Sequence, residues 1–293
     1  PLGAINLDND GISASATLFY RFALACLTLG IMMAVQRKSF AVTRRELGIL
    51  ALLGVFMSTS STTLYFSFLF MGVGVASTLL FVYPVMVAVI MATMFKEKVT
   101  KTTVLAITLA LAGIALLNRS GDGTALSLWG VTLVMLSSLT YAVYIVVVNK
   151  SPLRMSSVKL TFYVLFFGMF TILGYTLVLG EQIQWLTTPH QWAYALQLAW
   201  VPTVLSLVLM AVSVRDIGST PTAIMGAIEP ITAVAIGVVC FGEDFTMRLA
   251  AGMVLILTAV ILIIAGKEMS PQKITLVVGK IGRRLAKTWR WKQ

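Results

Sequence analysis

The sequence has little charge, few cysteines and a single histidine for its length. Only 11% of its 293 residues are Asp, Glu, Lys or Arg, whereas a soluble domain carries about 25%. Hydrophobic residues make up 58% of the chain, and its mean hydropathy is +0.93. This is too few charged residues for a water-exposed surface. The sequence therefore predicts an all-α polytopic membrane protein rather than a soluble domain.

The scarcity of cysteine and histidine limits the chemistry that the chain can perform. Cys26 and Cys240 each lie inside an apolar run and form neither a disulfide framework nor a metal-binding spacing. His190, which lies in a predicted loop, is the only histidine, so metal or catalytic clusters of histidines are excluded. We therefore predict no metal and no cofactor, and an intramembrane enzyme is not favoured.

Long hydrophobic runs dominate what remains. A helix needs about 20 apolar residues to cross the hydrocarbon layer of a bilayer, and helices satisfy their own backbone groups in lipid. Runs of this kind predict nine spans, approximately 14–35, 47–70, 75–95, 102–118, 127–148, 159–180, 192–213, 220–241 and 248–266.

The charges in the loops orient these spans. Basic loops alternate along the chain with loops that are neutral or acidic. The basic set is "QRKSFAVTRRE", "KEKVTK", "NKSPLRMSSVK" and the segment after Ala265, and the neutral or acidic set is "NLDND", "NRSGDG", "GEQIQW" and "GEDFTMR". Because cytoplasmic loops are enriched in Lys and Arg, the basic set and the C-terminus are predicted to be cytoplasmic. The net charge of +11 then reflects topology, and no nucleic-acid partner is expected.

The sequence also contains an internal repeat. "FVYPVMVAVIMATMFKEKVT" resembles "AIEPITAVAIGVVCFGEDFT" at an offset of 146, with Pro84 opposite Pro230 and Phe95 opposite Phe241. Upstream, "TLFYRF" resembles "LTFYVL" at an offset of 143. The loop after the first copy is predicted to be cytoplasmic and the loop after the second external, so the copies are inverted, as in many transporters.

Inverted copies need an odd number of spans each, but the first copy supplies four and the second five. At the offset of 143, residue 1 falls on Tyr144, near the end of the span 127–148. We therefore expect "PLGAI" to be the remnant of a first helix and the full chain to have ten. The alternative is a truncated chain without transport activity.

The order and spacing of these motifs resemble the drug/metabolite transporter superfamily, in its EamA-like branch. The motifs concerned are a proline in the fourth helix of each half, "FKEKVT" and "FGEDFT" after them, and "FYRFALA" in the second helix. The resemblance implies two five-helix repeats around a central cavity that works by alternating access. The predicted parts are 1–118, lacking most of its first helix, 127–266, and a tail at 267–293.

Glu229 is an acid inside the span 220–241. An ionised carboxylate near the middle of a bilayer is costly, so such residues normally face a cavity or a partner. We expect it to bind a substrate amine or a proton; the alternative is a neutral, hydrogen-bonded structural acid. Its repeat partner is Tyr83, so the two halves of the site differ.

Pro84 and Pro230 lack an amide donor and leave the carbonyls of Leu80 and Gly226 without their helical partners. We interpret the two prolines as kinks and hinges beside the cavity, or as packing bends only.

Other polar and aromatic side chains are candidates to line the cavity. A hydroxyl run, "STSSTT", occupies residues 58–63, although such groups also bond their own or neighbouring helices. Because residues three and four apart share a helix face, the candidates fall on two faces: Ser61 with Tyr65, and Ser137 with Tyr141 and Tyr144.

Arg21 and Trp200 remain. Arg21 lies in the outer third of its helix and could snorkel to the surface, attract an anionic substrate group or pair with an acid. The resemblance favours an architectural role for this charge, because the family often has Arg here. Trp200 is a candidate to stack on a substrate ring or to pack between helices.

The tail 267–293 has the pattern of a basic amphipathic helix on anionic lipids, with a disordered basic tail as the alternative. As a whole, the sequence predicts an inner-membrane exporter of small molecules, with amino acids or related amines as the first substrates to test. A multidrug or nucleotide-type carrier is the alternative. The sequence is compatible with proton antiport and with facilitated diffusion. It is also compatible with a monomer and with a homodimer.

Overall fold

The computed structural model describes residues 11–96, 101–117, 127–153, 155–178, 180–206, 209, 228–242 and 245–268. Within these ranges every regular element is a helix, which confirms the predicted all-α class. We number the α-helices in chain order: α1 Ala14–Val35, α2 Arg44–Ser67, α3 Val73–Leu80, α4 Tyr83–Met94, α5 Lys101–Leu117, α6 Leu128–Lys150, α7 Ser157–Val178, α8 Pro189–Ala199, α9 Ile228–Phe241 and α10 Met247–Glu268.

In the described part of the chain, six candidate spans are long and apolar enough to cross a membrane, one of them formed by α3 and α4 together, and α5 and α9 are shorter apolar helices. This confirms a polytopic membrane protein. Three of the predicted features lie outside the described residues. They are the remnant of a first helix at residues 1–5, the carbonyl of Gly226, and residues 269–293 of the tail.

Local hydrogen bonds fix where several helices begin. Helix α2 begins at Arg44, before the predicted start at 47, because Thr43 and Glu46 form a capping box. The Thr43 hydroxyl accepts from the Glu46 amide, and the Glu46 carboxylate accepts from the Thr43 amide at 2.8 Å. Such a box satisfies amide groups that have no partner inside the helix. Helix α8 begins with the same arrangement of Thr188 and Gln191.

Two of the predicted spans are not continuous α-helices. The span predicted at 75–95 breaks at Phe81 and Val82, because Pro84 cannot donate to the preceding turn. The span predicted at 192–213 is α-helical to Ala199 and is then interrupted by a π-helical segment, Trp200–Leu205. Both changes occur beside prolines and alter which side chains face the neighbouring helices.

The helices form two groups, and α2 lies between them. The first group, which we call the α1 bundle, consists of α1, α7 and α8. The second, the α5 bundle, consists of α3, α4, α5, α6, α9 and α10. On α2, Thr59 Oγ1 lies 2.6 Å from the Tyr175 hydroxyl of α7, while Ser60 bonds to Ser137 of α6. Helix α2 therefore contacts both bundles through neighbouring residues.

Two pairs of glycines allow very close helix contacts. A Cβ atom placed on Gly54 of α2 would lie 2.5 Å from the Cβ of Phe167 and 2.9 Å from the backbone nitrogen of Gly168 on α7. A Cβ on Gly113 of α5 would lie 2.9 Å from the carbonyl oxygen of Gly252 on α10. Small residues are the usual means of close packing in membranes, and here they hold α2 on α7 and α5 on α10.

Candidate functional site

The break between α3 and α4 is held by a serine from α6. Because Pro84 has no amide hydrogen, the carbonyl of Leu80 lacks its usual helical partner. The Ser138 hydroxyl donates to the Leu80 carbonyl oxygen at 2.9 Å and lies 3.4 Å from that of Leu79. Ser138 is 0% exposed, so its hydroxyl replaces the missing amide donor inside the protein.

Three predicted tyrosines meet beside this break. Tyr83 is the first residue of α4, and its ring lies 4.7 Å from that of Tyr141, at 82° to it. The rings of Tyr141 and Tyr144 lie 5.7 Å apart and nearly parallel. Since Ser138 and Tyr141 are three residues apart, they share a face of α6. The helix face that bonds the freed carbonyl therefore also receives the Tyr83 ring.

Glu229 completes this group. It lies in the first turn of α9, which packs on α3, and its side chain is exposed. Its carboxylate is close enough to Tyr83 and Tyr141 to interact electrostatically with both phenols. The next residue, Pro230, is buried. We call Tyr83, Tyr141, Tyr144 and Glu229 the tyrosine–glutamate cluster.

The polar atoms of this cluster have few partners within the protein. Among the described residues, no hydrogen bond reaches the three tyrosine hydroxyls, and the Glu229 carboxylate makes no hydrogen bond or ion pair; only its backbone carbonyl is bonded, by Thr232 at 2.8 Å. A carboxylate beside aromatic rings and hydroxyls can bind an organic cation by charge, by cation–π contact and by hydrogen bonds. The arrangement suits reversible, non-covalent binding.

The other predicted cavity residues lie elsewhere. Ser137 is 0% exposed, and it occupies the contact between α2 and α6, where its hydroxyl donates to the Ser60 carbonyl at 2.7 Å. Ser61 is half-buried on α2. Tyr65 packs against Phe68 and the core of the α1 bundle. No described ring contact joins Tyr65 to the tyrosine–glutamate cluster.

Arg21 and Trp200 both make hydrogen bonds across the contact between α1 and the π-helical segment Trp200–Leu205. Arg21 Nε donates to the Thr203 hydroxyl at 3.1 Å, and Trp200 Nε1 donates to the Thr28 hydroxyl at 3.1 Å. Trp200 is 52% exposed. These two predicted residues therefore belong to a second polar region, separate from the described contacts of the tyrosine–glutamate cluster.

Ser138 and Thr203 are polar residues whose roles sequence reasoning missed. Thr62, from the predicted hydroxyl run on α2, has a buried Oγ1 with no hydrogen-bond partner among the described residues. A proline inside an apolar run signals that a carbonyl needs a donor, but the run does not say which residue supplies it. Ser138 is 58 positions from Leu80 and Thr203 is 182 positions from Arg21, so only the helix packing reveals these pairs.

The sequence matches a known family over most of its length. The model of the EamA-like transporter family matches residues 7–119 and 128–265. The chain belongs to the EamA-like transporter family. The two matched segments include every residue of the tyrosine–glutamate cluster, and they include Arg21 and Thr203 as well.

Two curated relatives of this EamA-like chain carry transporter names. An "uncharacterized transporter" of Archaeoglobus fulgidus is 30% identical over 191 residues, which are 65% of this chain and 66% of that protein. The "uncharacterized transporter YetK" of Bacillus subtilis is 24% identical over 234 residues, covering 77% of this chain and 70% of that protein.

The fold also matches a solved structure. A protein of known crystal structure superposes on this EamA-like chain with a TM-score of 0.60 at 15% identity, covering 89% of this chain and 91% of the other. At this identity the likeness concerns the fold alone.

Proposed function

We propose that this EamA-like protein exports small organic molecules carrying a protonated amine, amino acids first among them, across the inner membrane. The observation that carries the proposal is the tyrosine–glutamate cluster. There the Glu229 carboxylate lies within electrostatic range of Tyr83 and Tyr141, and none of these side chains is bonded to another described residue.

Charge balance is the first argument for an amine. A carboxylate inside a bilayer is costly unless it faces a cavity or meets an opposite charge. No cation among the described residues pairs with Glu229. A substrate ammonium supplies that charge, and the neighbouring tyrosine rings attract the same group through their faces.

The repeat supplies a second argument. Tyr83 and Glu229 occupy equivalent positions, since each precedes one of the two prolines at the offset of 146. Equivalent residues of two inverted copies can meet only near the axis that relates the copies. Central sites of this kind are where transporters built from inverted repeats bind their substrates. A phenol on one side and a carboxylate on the other suit a substrate with two different ends.

The origin of the cluster residues suggests how the substrate crosses. Because Tyr83 comes from the first repeat and Tyr141, Tyr144 and Glu229 come from the second, a relative movement of the two repeats would open the cluster to one side of the membrane and then to the other. We propose this alternating access as the mechanism of export, with the basic loops on the cytoplasmic side.

The experiment is counterflow in proteoliposomes containing the full chain. The probes are amino acids, simple amines, nucleobases and cationic drugs. We expect uptake of amine-bearing probes, and a loss of about tenfold or more in Glu229→Gln, since a charged hydrogen bond contributes about 1.5–3 kcal/mol. Glu181→Gln is the matched control, because Glu181 is an exposed acid outside the helices.

Three outcomes would overturn parts of the proposal. If the wild-type protein moves none of the probes, the transport of amines is wrong. Equal rates and equal pH dependence in Glu229→Gln and wild type would remove the carboxylate from the site. Uptake of cationic drugs without amino acids would favour a multidrug carrier instead.

A further inference from the structure

Just after α1 the chain turns through the left-handed region of the backbone. Arg37 has a φ of 51°. Its amide donates to the Ala34 carbonyl at 3.0 Å, and the Lys38 amide donates to the Met33 carbonyl at 2.9 Å. These two bonds form a Schellman cap, in which glycine is the usual residue at the position of Arg37. A side chain there strains the backbone, because the left-handed conformation crowds its Cβ atom.

The second copy of the repeat has the same cap with a glycine. Helix α7 matches α1 at both of its ends at the offset of 143, and Gly180 stands opposite Arg37. Gly180 has a φ of 68°, and its amide and the amide of Glu181 make the two equivalent bonds. The cap therefore forms without a side chain. The first copy has Arg37 and Lys38 where the second has Gly180 and Glu181.

The same exchange occurs at the end of α4. Lys96 has a φ of 53°, and Gly242, its equivalent at the offset of 146, has a φ of 64°. Among the described residues, Arg37 and Lys96 are the two with a positive φ that are not glycine. Both are bases at the start of basic loops, and both have glycine as their equivalent before a neutral or acidic loop. Strained backbone of this kind is concentrated at functional sites, so a role for the two bases is expected.

An exposed apolar stripe on α1 leads to Arg37. Leu27, Ile31 and Val35 are four residues apart, so they share one face of the helix, and they are 57–77% exposed. We call these three residues the α1 stripe. It extends over about 12 Å of helix, which suits contact with the acyl chain of a lipid. Because Arg37 follows Val35 by two residues, its charge lies at the level of the headgroup of that lipid.

The loop that begins at Arg37 is held on α7. The Lys159 ammonium donates to the Ala41 carbonyl at 2.7 Å, and the Tyr163 hydroxyl donates to the Phe40 carbonyl. These bonds, together with the cap at the end of α1, fix the course of the loop. Its bases therefore have a defined place beside the α1 stripe.

The charge at this end of α1 has no partner in the described part of the protein. Arg37 and Lys38 are exposed, and neither side chain forms a hydrogen bond or an ion pair with a described residue. Glu46, the acid that follows this loop, accepts from Thr43 in the capping box. Basic residues beside a membrane attract anionic lipids, and a guanidinium matches the oxygens of a phosphate with two parallel hydrogen bonds.

We infer that the end of α1 binds an anionic phospholipid of the leaflet that the basic loops face. One acyl chain lies along the α1 stripe, and Arg37 binds the phosphate, with Lys38 adding charge. A zwitterionic lipid carries its own cation beside the phosphate, so the site prefers a headgroup with a net negative charge. Lipid binding here does not depend on the transport of any solute.

The test measures which lipid lies beside the α1 stripe. A fluorescent label is attached to Val35→Cys in a full chain lacking Cys26 and Cys240. Spin-labelled phosphatidylglycerol or phosphatidylcholine quenches it in proteoliposomes with the same lipids in both leaflets. We expect phosphatidylglycerol to bind beside this label about fivefold more tightly or better, since each base near the surface contributes about this factor.

The repeat supplies a matched control position. Val178 is the equivalent of Val35 on α7 and is exposed as well, but Gly180 and Glu181 follow it. A label on Val178→Cys should therefore show no preference for phosphatidylglycerol. Because both leaflets contain the same lipids, a difference between the two labels reports the protein and not the membrane.

Substitutions at Arg37 separate its charge from its backbone. Arg37→Gly removes the charge and relieves the strain, so it should lower the preference beside Val35 about fivefold without lowering the melting temperature. Arg37→Lys keeps the charge and should keep most of the preference. Arg248→Gln is the control, because it removes the same charge from an exposed position on α10.

The reverse exchange tests the site by a gain of binding. Gly180→Arg together with Glu181→Lys should give the label on Val178→Cys a preference for phosphatidylglycerol. Raising the salt concentration from about 0.05 M to about 0.5 M should weaken this preference and the one beside Val35, because salt screens exposed charges.

Two results would overturn the inference. One is equal quenching by the two lipids beside Val35 when Arg37 and Lys38 are both present. The other is a preference that survives the combination of Arg37→Gly with Lys38→Gln. Bases that serve only to orient the chain during insertion would give the first result, together with inverted loops in cells carrying Arg37→Gly. A protein that moves none of the transport probes would still show the lipid preference, so the two proposals fail separately.

Discussion

Tyr83 and Glu229 are 146 positions apart, each directly before a proline, and the carboxylate lies close enough to the phenol to act on it electrostatically. One residue comes from each copy of the repeat. A fold that brings such a pair together creates a site with different chemistry on its two sides, although the surrounding helices are related.

The hydroxyls of the tyrosine–glutamate cluster are expected to bind the substrate. Tyr83→Phe and Tyr144→Phe each keep the ring but remove a hydroxyl that has no described protein partner. Loss of one neutral hydrogen bond, about 1 kcal/mol, should raise the KM of amine counterflow about fivefold and leave thermal stability nearly unchanged. Tyr194→Phe, on α8, is the control. A fall in melting temperature with an unchanged KM would show instead that these hydroxyls are structural.

Ser138 is expected to stabilise the break between α3 and α4. Ser138→Ala leaves the buried Leu80 carbonyl without its donor, at a cost of about 1–3 kcal/mol. The melting temperature of the purified protein should fall, while Thr140→Ala, which removes a hydroxyl that bonds only within α6, should change it little.

A double substitution identifies the cause of that effect. Pro84→Ala returns a backbone N–H to the position from which a helix would donate to Leu80. Ser138→Ala should therefore cost less in the Pro84→Ala background than in the wild type, which a double-mutant cycle measures. Strictly additive effects would show that the serine does not replace the missing amide.

The contact between α2 and α7 is expected to tolerate no side chain at Gly54. In Gly54→Ala the new methyl group would meet the Cβ of Phe167 at 2.5 Å, where neither backbone can yield easily. We expect a loss of about 1–3 kcal/mol in stability. Gly48→Ala, on the same helix with no atom within 4 Å of the new Cβ, should be neutral or stabilising, because alanine favours helix. Equal melting temperatures for the two variants would contradict this packing.

The basic loops are expected to face the cytoplasm. In a variant lacking Cys26 and Cys240, a membrane-impermeant maleimide should label Glu181→Cys in intact cells and should label Lys38→Cys only after permeabilisation. Both positions are exposed loop residues, so access depends on the side of the membrane alone. The opposite labelling pattern would invert the topology and turn the proposed export into import.

The sequence predicts where most of the helices lie, but it does not predict which side chains bond one helix to another. Runs of apolar residues give the spans, because each helix satisfies its own backbone in lipid and needs no distant partner. The break at Phe81 and Val82 was harder to place: Pro84 indicates a kink, but the donor to the freed Leu80 carbonyl is Ser138 of α6. That donor is a property of the packing.

In the candidate site, too, the sequence predicts which residues share a helix face but not which neighbouring helix each residue contacts. The faces of α6 group Tyr141 with Tyr144, whose rings lie 5.7 Å apart, because residues on one helix keep fixed spacing. The same rule placed Ser137 beside them, whereas the structure buries it against Ser60. A helix face about 100° wide can meet two neighbours, and the sequence does not say where one neighbour ends and the next begins. The hydrogen bond from Arg21 to Thr203 could not be predicted either, since Thr203 lies in a π-helical segment that the sequence does not indicate.

Helix α2 contacts α7 through Thr59 and α6 through Ser60. Successive residues of a helix point about 100° apart, so α2 is bonded on two sides at the same height. It cannot turn to follow one neighbour without breaking its bond to the other. A motion of α6 relative to α7 must therefore interrupt one of these two contacts. Substitutions there should change how often the protein completes a cycle and how steeply that frequency rises with temperature, while leaving its choice of cargo intact.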